Sequence, residues 1–336
     1  MKITIVSRFF TWFLSLLACA LLLTSCVAQK PQPPKPLPVG EGRLAVPGGT
    51  IWYKVSGSGS GIPVVLLHGG PGMSSYYVKP FEDLQDDRQV IRYDQLGGGK
   101  SDKITDTTMF TIDHFVRELD SLRAYLGVER WHLLGHSWGT ILAVEYYRAY
   151  PDRVASLTLG SACLDIAAYE RHARELLATL PQGMQAAVRK AEARGKYDDA
   201  GYQKAMEHFY ALYVYRHPVK EDLDSTFATI SEAIYGYMQG PSEFTITGTL
   251  KNYDSTPFLS RIKVPTLFTV GEFDEVGPEL VKGFAAETPH ARLVQFAGSA
   301  HITCWDARDE NVKVVREFLR SADSLAAGER ARVPVD

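Results

Sequence analysis

Hydrophobic positions fall into two alternating rhythms along most of the chain. The stretch "GRLAVPGGTIWYKVSGSGSG" reads as two strands around a Pro-Gly-Gly turn, an antiparallel start. "PVVLLHGG" is short and wholly apolar, which suits a strand buried on both faces. "QVIRYDQLGGG" gives another strand running into a glycine cluster. In "TIDHFVRELDSLRAYLG", Ile112, Phe115, Val116, Leu119, Leu122 and Leu126 recur at helical spacing, and Gly127 stops the helix. Next come a strand and sharp turn in "RWHLLGHSWG", a helix in "TILAVEYYRAYP" ended by Pro151, and a strand in "VASLTLG". The alternation resumes with "VPTLFTVG", a helix from about Pro278, "RLVQFAG", and a last helix over "DENVKVVREFLRSA".

Strands alternating with helices predict an α/β protein, a mostly parallel sheet with helices on both faces. Residues 161–250 interrupt the rhythm with helical, Tyr- and Phe-rich sequence such as "AAYERHARELLATL" and "YQKAMEHFYALYVYRH". An insertion between sheet strands is expected to form a helical cap over the carboxyl ends of the strands, where such sheets bind ligands. The core then divides into residues 41–160 and 251–325.

The amino terminus departs from this pattern. Lys2 and Arg8 precede an apolar run from Phe9 to Leu23, the layout of a signal peptide over residues 1–25. Leu23-Thr24-Ser25-Cys26 resembles a bacterial lipobox, in which Cys26 takes a lipid before cleavage. Residues 26–40 are Pro-rich and are expected to extend as a linker from a membrane. The expectation is an exported bacterial lipoprotein, facing the periplasm or the cell surface. The chain of 336 residues carries a formal charge of −3, which becomes −5 without the two leader cations, so no basic excess points to nucleic acid. Of four cysteines, only Cys163 and Cys304 lie in the body; this excludes a disulfide framework and favours two separate thiols.

Chemistry enters at "GHSWG", residues 135–139, a G-x-S-x-G between an apolar strand and a helix. Two glycines allow the tight turn that exposes the Ser137 hydroxyl. A serine nucleophile needs a base and an acid that orients the base, and in this architecture the chain order is serine, acid, histidine. Beyond "GEFDEVG" lie only His290 and His301. His290 precedes the strand "RLVQFAG" and falls at the wrong end of the sheet; His301 follows it and is the candidate base. Oxyanion stabilisation needs backbone N–H donors. Trp138 supplies one, and "HGGPG" supplies the other from Gly70, with Gly69 as the near alternative; His68 is expected to hold that loop. "GGGKS" is not a phosphate-binding P-loop, which would need glycine at Asp94. Its glycines are expected to pack the loop beside the oxyanion segment.

Taken in order, "HGGPG", "YDQLGGGKSD", "GHSWG", "GPSEFTITGTL", "GEFDEVGP" and "AHITCWD" resemble the proline iminopeptidase family of α/β-hydrolases, in particular its tricorn-interacting-factor branch. The resemblance spans residues 45–320. It implies an eight-stranded sheet with a helical cap, and removal of N-terminal residues, often proline, from short peptides. It also implies that Asp274, just past "PTLFTV", is the triad acid. Glu275 and the cap residue Glu243 would bind the substrate's α-ammonium together, limiting the site to one residue before the scissile bond. Glu272 has no matching role and is read as structural or solvated. Gly98 stands where the family often has Cys, and Thr140 where it often has Gly. The expected partners are short peptides or aminoacyl amides with a free N-terminus, with no metal or organic cofactor. The alternatives are an amino-acid amidase, an esterase or lactonase on the same triad, or a non-catalytic peptide-binding lipoprotein. Aspartate-nucleophile dehalogenases and epoxide hydrolases are disfavoured by Ser137.

Overall fold

The computed structural model describes residues 36–330. The expected signal peptide and the candidate lipidation site Cys26 lie outside the described residues.

Eight strands form one sheet in the order β1-β2-β4-β3-β5-β6-β7-β8. Strands β1 (Gly40–Val46) and β2 (Gly49–Ser56) pair antiparallel, and β2 pairs antiparallel with β4 (Val90–Asp94). From β4 onward, β3 (Val64–Leu67), β5 (Trp131–His136), β6 (Val154–Gly160), β7 (Thr266–Gly271) and β8 (Ala291–Phe296) run parallel. Every residue of β3, β4, β5, β6 and β7 is buried, which is why these strands read as continuous rather than alternating apolar runs. The outer strands β1 and β8 are only half-buried, as befits edges.

Helix α1 (Ile112–Leu126) starts on the Thr111 side chain, which accepts from the His114 N–H, and stops at Gly127 with φ 69°. Helix α2 (Trp138–Ala149) follows β5 directly. Because parallel crossovers are right-handed, connections moving toward β8 put their helices on one face, and the connection from β3 back to β4 uses the other. A 3₁₀ helix over Lys79–Asp86, which the apolar pattern does not announce, fills that second connection and packs against the last helix.

Between β6 and β7 lie α3 (Ile166–Leu177), α4 (Gln182–Glu192), α5 (Ala200–Tyr213), α6 (Lys220–Ala228), α7 (Glu232–Met238) and the single turn α8 (Thr256–Leu259). After β7 come α9 (Pro278–Glu287), the single turn α10 (Thr303–Asp306) and α11 (Arg308–Arg330). The last helix runs further than its apolar spacing suggests. Asp323 there pairs with Arg88 at 3.1 Å and with His132 at 3.0 Å, so polar contacts hold it to the sheet where apolar ones thin out. No helix among the described residues is long and apolar enough to cross a membrane.

In a parallel sheet the carboxyl ends of the strands share one edge. The segments after Leu67, Asp94, His136, Gly160, Gly271 and Phe296 therefore converge, and the candidate chemistry of the sequence sits on them.

Candidate active site

Ser137 sits between β5 and α2 with φ 56° and ψ −125°, a backbone that L-residues adopt only under constraint. The constraint is close packing on both sides. A Cβ on Gly135 would lie 2.2 Å from the Gly139 carbonyl oxygen, and one on Gly139 would lie 2.0 Å from that of Leu67. Only glycine lets the turn fold this tightly, and the serine is left partly exposed at the sheet edge while its neighbours are buried. Thr140 ties the turn down: its hydroxyl donates to the Ser137 carbonyl at 2.6 Å and accepts from the Cys163 N–H at 3.1 Å.

His301 and Asp274 are both buried, at 4% and 1% exposure. His301 Nδ1 lies 2.8 Å from Asp274 Oδ1, which also accepts from the Val276 N–H. Burial alone would raise the Asp274 carboxyl; the charge and hydrogen bond of His301 and the Val276 amide outweigh it and hold it below its usual value. The His301 loop is fixed from the inserted helices, since its N–H donates to the Tyr213 carbonyl and that of Ile302 to Val214. His290 is exposed and precedes β8 at the far end of the sheet.

Gly70 (φ 117°) and Trp138, at the first position of α2, have backbone N–H groups with no acceptor among the described residues. The Gly69 N–H, by contrast, donates to the Tyr77 hydroxyl at 2.5 Å. Gln95 joins these two segments. Its side chain accepts from the Trp138 indole at 2.8 Å and donates to the His68 carbonyl, while its own N–H donates to His68 Nε2. His68 thus holds the loop, as read from sequence. The glycine run also packs as expected, with Gly98 against the Met73 carbonyl.

Glu275 is fully buried at 0% exposure, and neither carboxylate oxygen has a hydrogen-bond partner among the described residues. Its Oε1 lies 3.9 Å from His301 Nε2. Burial, then the charges of Glu243 and Asp274, push its carboxyl well above the usual range. Glu243 accepts from the hydroxyls of Tyr169 (2.7 Å) and Tyr235 (2.5 Å) and from Gln239 Nε2 (3.1 Å). Glu243 and Asp274 both lie near enough to Glu275 for their charge to act on it. The buried Cys163 thiol, 3.9 Å from Ser137 Oγ, is pushed up by burial first and then by Glu243, Asp274 and Glu275. Cys163 and Cys304 are both free thiols. Glu272 is exposed and accepts from the Gly298 N–H, joining the loops after β7 and β8.

The sequence reading overlooked Tyr169, Tyr235 and Gln239, which orient Glu243, and Tyr77, His136 and Gln95, which brace the loops. His136 was in view as the second residue of "GHSWG", and Gln95 inside "YDQLGGG". No spacing rule connects them to their partners, which come from other strands and loops.

With this geometry established, comparison with known proteins is decisive. Residues 62–308 match the alpha/beta hydrolase fold family. A proline iminopeptidase from Heyndrickxia coagulans is 39% identical over 84% of this chain and 99% of its own. The chain belongs to the proline iminopeptidase family of α/β-hydrolases. A Saccharolobus solfataricus proline iminopeptidase is 36% identical over 85% of this chain and 94% of its own. The crystal structure of the Mycobacterium smegmatis proline iminopeptidase superposes with a TM-score of 0.79 at 31% identity, over 85% of this chain and 100% of that one.

Proposed function

We propose that this member of the family is a serine aminopeptidase that releases the first residue, preferentially proline, from short peptides with a free N-terminus. The observation that carries the reading is Glu275. A carboxylate with no exposure and, among the described residues, no hydrogen bond on either oxygen is costly to ionise; the nearby Tyr169 hydroxyl donates to Glu243 instead, and the Glu243 charge makes ionisation costlier. A substrate ammonium between the two reverses that cost. Membership of the family supports proline as the preferred first residue.

In this reading the ammonium docks on Glu243 and Glu275, which brings the first carbonyl to Ser137. His301, oriented by Asp274, takes the serine proton as Oγ attacks, and the Gly70 and Trp138 N–H groups receive the oxyanion. His301 then returns the proton to the leaving amine, and water hydrolyses the acyl-enzyme by the same steps. The clamp reads only ammonium and carbonyl, so aminoacyl amides fit the same mechanism; esters and lactones without an amine do not use it.

The test compares prolyl-anilide with its N-acetyl form on wild type, Glu275→Gln and Glu243→Gln. Acetylation is expected to lower kcat/KM on the order of 10²–10³-fold in wild type, with most of that discrimination lost in Glu275→Gln. Equal turnover of the two substrates by wild type refutes the clamp.

The location is a separate proposal, supported by residues 1–40 alone: export, a lipid on Cys26, and a Pro-rich spacer to the membrane. A clickable palmitate analogue should label the wild type and not Cys26→Ser in the producing cell. An unlabelled wild type removes the anchor.

A further inference from the structure

The oxyanion loop and the base loop reach Ser137 from different strands, and the triad itself does not connect them. A buried chain of hydrogen bonds does. The Gly69 N–H donates to the Tyr77 hydroxyl oxygen at 2.5 Å. That oxygen lies 3.0 Å from His136 Nδ1, and His136 Nε2 lies 2.9 Å from the His301 carbonyl oxygen. The direction of each bond is forced. A carbonyl only accepts, so His136 carries its proton on Nε2; the other nitrogen of the neutral ring then accepts, so Tyr77 donates to it. The amide N–H can only donate, and it uses a lone pair of the same hydroxyl. Gly69, Tyr77, His136 and His301 are all buried, so no water competes. The Tyr77 ring is fixed edge-on to His136 (centroids 5.3 Å apart) and to Trp305 (6.3 Å).

We propose that Tyr77, acting through His136, is a positioning residue that holds the oxyanion loop in register with His301. The inference rests on the roles given above to Ser137, His301 and Gly70. Tyr77 takes the Gly69 amide out of use and so orients the next peptide plane, whose Gly70 N–H has no other acceptor among the described residues. At the far end, His136 anchors the backbone of the base itself. Burial, and then the nearby His301, push the His136 imidazole down to about 3, which keeps the ring neutral and the relay intact. Burial likewise raises the Tyr77 hydroxyl well above its usual range, so it stays protonated.

Tyr77→Phe keeps the ring and its packing and removes only the hydroxyl. On prolyl-anilide, kcat is expected to fall on the order of 10–10²-fold with KM within about twofold of wild type. Labelling of Ser137 by a fluorophosphonate, which has no ammonium and does not use the glutamates, should slow by the same factor. His136→Leu should match it, and the double variant should be no slower than either single one, because one broken link already opens the chain. The proposal is overturned if Tyr77→Phe keeps kcat within about twofold, if labelling is unchanged, or if the two losses multiply. Should Tyr77→Phe not fold, His136→Gln poses the same question. Its amide can accept from Tyr77 and donate to His301, so it should retain activity that His136→Leu loses; equal losses overturn the relay. A wild type that the phosphonate leaves unlabelled removes the serine assignment, and the relay with it.

Discussion

A Ser–His–Asp array sits at each end of the sheet, and the better-bonded one is not the candidate catalyst. At the far end, His132 of β5 and Ser156 of β6 are register partners. His132 Nδ1 lies 2.7 Å from Ser156 Oγ, and Nε2 lies 3.0 Å from Asp323 Oδ1, so this chain is complete from serine to acid. At the carboxyl edge only the His301–Asp274 bond is formed, and the neighbour of Ser137 Oγ is the Cys163 sulfur. Residue types and hydrogen bonds alone would favour the wrong array. What separates them is access and what surrounds the oxygen. Ser156 lies inside a strand at 0% exposure, and its array braces α11 to the sheet. Ser137 is held in a strained turn, partly open, beside two backbone N–H groups with no acceptor, and a buried carboxylate with no donor, among the described residues. A triad is defined by roles, and roles need room for a substrate.

The largest expected effects test that contrast directly. Ser137→Ala should abolish fluorophosphonate labelling and lower kcat on the order of 10⁴–10⁶-fold with no loss of melting temperature. Ser156→Ala should do the opposite: kcat/KM within about threefold, and about 1–2 kcal/mol less stable for the lost buried hydrogen bond. Activity loss in Ser156→Ala with an unchanged Tm would break the distinction. The acids come next. Asp274→Asn should cost on the order of 10³–10⁴ in kcat, because the amide stabilises the wrong tautomer of His301. Asp323→Asn should leave kcat nearly intact. It leaves the Arg88 guanidinium, 1% exposed, with a hydrogen bond to the Ile62 carbonyl and only the 3.7 Å contact to Asp87 as an ion pair, and should cost roughly 2–4 kcal/mol by denaturant unfolding.

That difference also explains what was readable in advance. Strand and helix identities follow from periodicity because β3 through β7 are buried on both faces and α1 on one, so side-chain chemistry tracks position. Ser137 and the oxyanion segments were legible because a tight turn restricts residue type locally. His301 was legible by chain order and by its place after β8. Glu243 and Glu275 came only through the family resemblance; no local rule joins a cap carboxylate to one after β7. Tyr77–His136, Gln95–Trp138 and His132–Ser156–Asp323 stayed hidden for a related reason. Each is a contact between elements far apart in sequence, and buried tyrosines, glutamines and histidines look the same in a sequence whether they brace a site or a strand. The length of α11 was missed likewise, since Asp323 is held by polar contacts with partners on other elements.

The smallest expected effect sharpens the contrast through pH. Burial pushes the His132 imidazole below its ordinary value, against the opposing pull of Asp323. For Asp323, burial is outweighed by His132 and Arg88, and its carboxyl is held low. In both cases the unfolded chain protonates first as pH falls. The His132 contribution is therefore present above its unfolded value near 6.5 and lost below it, whereas that of Asp323 is lost only below about 4. Of this pair, only the histidine acts between pH 7.5 and 5.5. His68, His114 and His136 are also lowered by burial and add slopes of the same sign, so the useful quantity is the difference between wild type and His132→Gln. Glutamine can accept from Ser156 and donate to Asp323 without titrating. Wild type should lose stability relative to the variant as pH falls over that range. The pH profiles of kcat/KM should superpose, because the far array touches no reacting atom. Parallel stability curves would show that His132 does not resist protonation in the fold. A displaced activity profile would show that the two ends of the sheet are coupled, and the division between a bracing array and a reacting one would fail.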